Sequence, residues 1–208
     1  MVLVDVIIMP RHSPKLVLAS SSPYRVDLLR VIGYEPNTIH PADLNEEPHK
    51  GERPSRLAER LATEKAQKVA GLYRDDIVLA ADTVAAVGRT SLPKAINEDD
   101  ARYCLSKLSG RRHRVYTGVC GIYKGKVVVK VGMTVVQFKR LSQQDIELFV
   151  ASHEWYNKAG GYGAQGLASI FISFMRGTHV SNVIGLPLHE TYNILSSFGA
   201  MPKCQVQF

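Results

Sequence analysis

The sequence predicts an α/β fold built on a mixed β-sheet flanked by helices, and three observations predict it. Apolar runs rich in β-formers alternate with amphipathic helical stretches through the first half; a long strand pair joined by a short turn follows; and the helices carry start and stop residues in the right order. Alternating strands and helices imply parallel strands, and the inserted hairpin makes the sheet mixed. At 208 residues the chain can bury one good core, so the simplest organisation is a single domain over 14–208. Residues 1–13 read as an extension ahead of it, disordered or a mis-assigned start.

The elements follow in order. "KLVLAS" (15–20) is a short buried strand, and "LASSSPYRVDLL" (18–29) turns it into a helix with Ser22 as N-cap, Pro23 at N1 and Gly33 past its end. At 100° per residue Arg25, Leu28, Leu29 and Ile32 share a face, so Arg25 heads the buried stripe. A proline-punctuated loop carries "ADLNEEPHKGERP". Pro54 then opens a helix to about Ala70, closed by Gly71, with Leu57, Ala58, Leu61 and Val69 as its stripe and Lys65 in the middle of it. "DIVLAADTVAAVG" reads as a strand broken by the polar pair Asp82 and Thr83. "NEDDARYCLSKLSG" is a helix with an acidic first turn and Gly110 as its stop. Two strands joined by a Lys-Gly-Lys turn span about 113–140, followed by a short helix capped by Ser142, with Asp145 three residues on. The glycine-rich loop "NKAGGYGAQG", a strand "ASIFISFM", a loop to Pro187 and a helix to about Phe198 complete the chain.

Bulk properties bound the function. The formal charge of +7 favours phosphorylated or polyanionic partners and says nothing of fold. Cys104, Cys120 and Cys204 are odd in number and lack CxxC spacing, against a disulfide framework or zinc knuckle, so a reducing cytoplasm is expected. The start "MVLVDVIIMP" lacks a basic segment and makes a poor signal peptide. No stretch approaches the roughly 20 apolar residues that cross a bilayer.

Several polar residues do not fit a bland pattern. Serines 20 to 22 open a helix where backbone N–H groups are free and the dipole favours an anion. Arg25 and Lys65 on apolar stripes read either as snorkelling side chains or as phosphate ligands, and Lys94 in "SLPKA" either as a solvated loop residue or as a third cation. Asp82, at the end of an apolar run, is explained by turn chemistry or by Mg²⁺, which takes one or two carboxylates plus substrate phosphates; Glu46 and Glu47 offer the second carboxylate. "GGYGAQG" lacks both the Lys-Ser/Thr of a P-loop and the strand-GxGxxG-helix order, leaving close backbone approach and a Gln165 able to donate and accept. His113, His153, His179 and His189 show no metal spacing, and no GxSxG elbow is present.

Taken together, "LASSSPYRVDLL", "LNEEPHKGERP", "RLATEKA", "AADTVAAVG", "LSGRRHRVYTGV", "YNKAGGYGAQG" and "VIGLPLHETY" resemble the Maf family of nucleoside triphosphate pyrophosphatases, in family order over roughly 15–198. The resemblance implies an elongated mixed sheet with a central cleft, akin to inosine triphosphatases, and a homodimer. It also implies hydrolysis between the α and β phosphates with a divalent cation, Mg²⁺ or Mn²⁺, limiting misincorporation of nucleotides. By the same resemblance the serine loop (Ser20, Ser22) with Arg25, Lys65 and Lys94 holds phosphate. Asp82 and Glu46 would hold the metal, and Asp82 would orient or deprotonate the attacking water.

Base preference rests on Tyr24, Thr83 and Gln165. The pyrimidine branch usually has two arginines where this chain has Tyr24 and Arg25, and an aromatic there resembles the 7-methyl-GTP branch, where stacking on a cationic purine makes sense. Thr83, "NKAGGYG" and Gln165 match the pyrimidine branch, so dTTP and UTP are expected. A nucleic-acid-binding module, suggested by the net charge and "GRRHR", is disfavoured because the basic residues are scattered and no stacking motif accompanies them. A regulatory role in cell division comes from the family's link to septum formation alone.

Overall fold

The computed structural model describes residues 14–203; the expected extension 1–13 and Cys204 lie outside them. Its elements are β1 (Leu16–Leu18), α1 (Pro23–Val31), β2 (Thr38–Ile39), α2 (Pro54–Ala70), β3 (Ile77–Val87), β4 (Thr90–Ser91), α3 (Glu98–Leu108), β5 (Arg112–Tyr123), β6 (Lys126–Phe138), α4 (Gln143–Ala151), a 3-10 turn (Leu167–Phe171), β7 (Ile172–Gly177), α5 (Val180–Ile184) and α6 (Leu188–Ser197). The strands form one seven-stranded sheet in the order β2-β1-β3-β5-β6-β7, with β4 also paired to β3. β1 runs parallel to β2 and β3, and every other pairing is antiparallel, giving the mixed sheet the alternation predicted.

The two-residue period of the strands sorts the core. Leu16, Leu18, Ile77, Leu79 and Ala81 face α1 and α6, where they meet Val26, Leu29 and Ile194. Val17, Ala19, Val78 and Ala80 face the other way, onto Ala62, Ala66 and Val69 of α2. A separate core fills the far end of the sheet, where Phe138, Phe149, Trp155 and Phe171 pack with Leu105 and Leu108 of α3. α2 seats so tightly on β5 that a Cβ at Gly118 would lie 2.2 Å from the Ala58 carbonyl oxygen. The β5–β6 hairpin closes on Lys124 and Gly125, both at positive φ (47° and 77°), the conformation a two-residue hairpin turn requires.

One feature of β3 makes the cleft. On its outer edge β3 pairs with β1 only through Leu79, and with β4 only from Ala86. Between those pairings lie Asp82 and Thr83, and no strand of the described residues covers them on that side. The gap sits where β1 ends in the serine loop, a place where open α/β sheets accept ligands.

Four expectations change. β3 is continuous through Asp82 and Thr83, because β5 pairs with it on the inner edge at every step from Val78 to Ala86, so Asp82 is mid-strand rather than at a strand end. The first half of "ASIFISFM" is a 3-10 turn, its apolar residues buried by a turn rather than by alternation. The loop before Pro187 contains α5, five residues long and too short to show periodicity. The stripe of α1 centres on Val26 and Leu29, leaving Arg25 half-buried at its margin.

Candidate active site

Ten of the residues singled out from the sequence line one cleft of about 400 Å³: Ser20, Ser22, Tyr24, Arg25, Glu46, Lys65, Asp82, Thr83, Lys94 and Gln165; Glu47, the other loop carboxylate, does not line it. The ten arrive from seven places in the fold. The β1–α1 loop brings the serines, α1 Tyr24 and Arg25, the loop before α2 Glu46, α2 Lys65, β3 Asp82 and Thr83, and the segments 92–97 and 152–166 the rest.

Strand alternation decides what the two adjacent polar residues of β3 do. Asp82 follows Val78 and Ala80 onto the α2 face and is 3% exposed; Thr83 points to the α1 face. On the α2 face Lys65, 6% exposed, sets its Nζ 2.5 Å from Asp82 Oδ1 and 2.5 Å from Glu46 Oε1. Lys94 Nζ pairs with the second oxygen of Glu46. Two carboxylates and two ammoniums thus form one chain, Asp82 to Lys65 to Glu46 to Lys94. Burial alone would raise the Glu46 carboxyl, but hydrogen bonds from Lys65 and Lys94 outweigh it and hold it below its ordinary value.

On the α1 face Arg25 is fixed by neutral acceptors. Its guanidinium donates to the Gly185 carbonyl at 2.8 Å, to Ser20 Oγ at 2.8 Å and to Thr83 Oγ1 at 3.4 Å. Burial lowers its pKa against the opposing pull of Asp82 and Glu46, and a guanidinium so far above neutrality stays charged. Ser20 Oγ also accepts from the Ser22 N–H at 3.2 Å, and Ser22 makes no side-chain cap bond to α1. The Thr83 hydroxyl is shared with Thr117 at 3.0 Å, and Thr117 donates to the Asn182 carbonyl at 2.7 Å. Thr83 therefore acts on the cleft by holding Arg25.

The loop carrying Glu46 is clamped to α2. Arg60 grips both oxygens of Glu52 (2.8 and 2.9 Å) and donates to the Glu47 carbonyl at 3.0 Å, and this fork holds the Glu52 carboxyl down to about 2. The glycine loop is fixed from behind. Gly160 and Gly161 both take positive φ, and a Cβ at Gly160 would come 2.7 Å from Ala85. Tyr162 and His113 share a 2.6 Å hydrogen bond beneath the loop, and Glu154 accepts from the Leu167 N–H at 2.9 Å. Gln165 stays exposed at the rim.

Sequence reasoning missed Lys158, which also lines the cleft with its ammonium 5.6 Å from the centroid of the Tyr24 ring. It lay inside the quoted "NKAGGYG", but nothing about its spacing marked it. Among the described residues, no three His, Cys, Asp or Glu side chains come together as a metal cage.

The family model described as Maf-like protein matches residues 15–198. The chain belongs to the Maf family. Among its Maf relatives, a protein of Caulobacter vibrioides named dTTP/UTP pyrophosphatase is 53% identical over 190 residues, covering 91% of this chain and 98% of that one. Another of the same name from Mesorhizobium japonicum is 53% identical over 192 residues, covering 89% and 92%. Among solved structures, a HAM1 protein from Coxiella burnetii superposes with a TM-score of 0.43 at 14% identity, over 63% of this chain and 76% of that one. No helix of the described residues is long and apolar enough to cross a membrane.

Proposed function

We propose that this Maf-family chain hydrolyses nucleoside triphosphates between the α and β phosphates, releasing a monophosphate and pyrophosphate, with dTTP and UTP as substrates. The carrying observation is that Arg25, Lys65, Lys94, the serine loop, Asp82 and Glu46 meet in one cleft at an uncovered strand edge. Relatives about half identical that are named dTTP/UTP pyrophosphatases support the choice of bases.

The chemistry follows from the residues. The serine loop at the head of α1, with Arg25, receives phosphate oxygens. Asp82 orients the attacking water or takes its proton, the water oxygen bonds to the α-phosphorus, and the bond to the α–β bridging oxygen breaks to release pyrophosphate. Lys65 and Lys94 face the charge that develops on the leaving pyrophosphate, where positioning and electrostatics carry most of such catalysis.

The donor set fits a divalent cation. Both carboxylates already converge on one positive charge, the Lys65 ammonium, so Asp82 and Glu46 would hold Mg²⁺ or Mn²⁺, with phosphate and water completing the shell. When bound it supplies further neutralisation of the phosphates. We also assign the protein to a reducing cytoplasm, where the buried Cys104 and Cys120 stay free thiols, and to a homodimer.

Tyr24 favours a second reading. Its ring is 38% exposed on the cleft wall and could stack on the cationic purine of 7-methyl-GTP. Pyrophosphate release from dTTP, UTP, CTP, dGTP and 7-methyl-GTP, with Tyr24→Arg alongside, decides between them. Preference for dTTP and UTP is expected; preference for 7-methyl-GTP would move specificity from Gln165 to Tyr24.

A further inference from the structure

The charged side chains of the cleft divide into two groups. Lys65 and Lys94 are matched by Asp82 and Glu46 within one chain of ion pairs. Arg25 and Lys158 have no carboxylate within ion-pair distance among the described residues, and they flank Tyr24. Arg25 follows Tyr24 on the first turn of α1, and Lys158 lies over the Tyr24 ring with its Nζ donating to the Glu154 carbonyl. Both cations are thus held by neutral groups, which position a charge without cancelling it.

The backbone fixes where Lys158 sits along the cleft. Ala159 pairs with Lys94 in an isolated β-bridge, and the Ala95 N–H donates to the Lys158 carbonyl at 3.3 Å. Gln165 follows seven residues later in the same loop. Lys158 is thus tied by its backbone to the segment that carries Lys94, and it lines the same cleft as Gln165, so a nucleotide with its outer phosphates on the ion-pair chain and its base at Gln165 spans the stretch of cleft to which Lys158 belongs. The group of a nucleotide at that junction is the α-phosphate.

We propose that Lys158, braced on the ring of Tyr24, is a substrate-binding residue that, with Arg25, holds the α-phosphate that stays on the monophosphate product. This rests on the nucleotide reading above and assigns Tyr24 a role as a platform for the cation. A product monophosphate carries about two negative charges at neutral pH, as phosphorylated side chains do, and two unmatched cations answer it.

The test reads which end of the nucleotide Lys158 holds. Binding of dTMP, thymidine and pyrophosphate to the purified full chain is measured by calorimetry and by inhibition of dTTP hydrolysis, in the wild type, Lys158→Gln and Lys158→Arg. Loss of one charge-assisted contact is expected to weaken dTMP about tenfold or more in Lys158→Gln and to leave thymidine and pyrophosphate within about twofold, with Lys158→Arg restoring most of the dTMP affinity. Tyr24→Leu should weaken dTMP by a smaller factor. Equal weakening of dTMP and thymidine would put Lys158 on the nucleoside and overturn the assignment, as would weakening of pyrophosphate alone or no change. A wild type that hydrolysed no triphosphate would overturn the activity instead, and the dTMP titration would still decide the phosphate subsite.

Discussion

Lys65 sits in a nearly closed site with a carboxylate on either side of it. Breaking a buried ion pair from one side leaves an unmatched charge, which typically costs about 3–5 kcal/mol. Lys65→Met would bring Asp82 and Glu46 together with nothing between them. Urea denaturation should show it destabilised at neutral pH, with the gap to the wild type narrowing in acid as the Glu46 carboxyl, which Lys65 and Lys94 hold below its ordinary value, takes up its proton; a gap independent of pH would contradict this. His113 titrates below the range of an exposed histidine. Burial pushes its imidazole down to about 4, whereas the unfolded residue binds its proton near 6.5. Between those values the unfolded chain holds more protons, so stability is full above about 6.5 and falls as pH drops towards 4, by on the order of 3 kcal/mol. His113→Gln should flatten that part of the stability curve, and an unchanged slope would exclude the assignment. At this scale Arg25, Lys65 and Asp82 were legible because each is a charge set in an apolar pattern. Lys158 was not, because one lysine among small loop residues carries no periodicity and its meeting with Tyr24 is a tertiary event.

At the scale of elements, activity depends on how α2 and its preceding loop are seated. A methyl at Gly118 would collide with the backbone of α2, so Gly118→Ala must push the helix, and Lys65 with it, off the sheet. Overpacking of that kind costs about 1–3 kcal/mol, read as a lowered Tm together with reduced turnover. A variant of unchanged Tm and turnover would show that the helix has room. The Arg60 fork is a second control. In Arg60→Met, hydrogen exchange of the amides over 44–53 should speed up and kcat fall while α2 keeps its protection; unchanged exchange would show that the loop holds Glu46 without the fork. The helices were readable because their caps and stripes are local: Pro54 to Ala70 stands at its predicted bounds, and α4 has the full capping box expected of Ser142 and Asp145. β3 was misread as broken because a polar pair inside a strand resembles a turn. Only pairing with β5, far along the chain, shows that the strand continues and that its polar residues face opposite ways.

At the scale of the whole molecule, the cores on the two faces of β1 and the Phe138 core sit towards opposite ends of one mixed sheet, and the cleft opens where β3 has lost one neighbour and not yet gained the next. The mixed sheet was legible from the order of helical and strand patterns; the gap was not, since it depends on how far two short strands extend. The net charge of +7 acts over the same distance. A polyanionic substrate is drawn to a cationic cleft, so kcat/KM for dTTP should fall as ionic strength rises through about 0.1 M, where the Debye length shortens to about 10 Å. A salt-independent kcat/KM would mean that the net charge does not steer binding. The central claim, cleavage of the α–β anhydride directed by Asp82, has a direct measurement. The purified chain is incubated with dTTP and Mg²⁺, and dTMP, pyrophosphate and orthophosphate are quantified beside Asp82→Asn. One pyrophosphate per dTMP, lost in a folded Asp82→Asn, is predicted; orthophosphate with dTDP, or undiminished turnover in the variant, would contradict it.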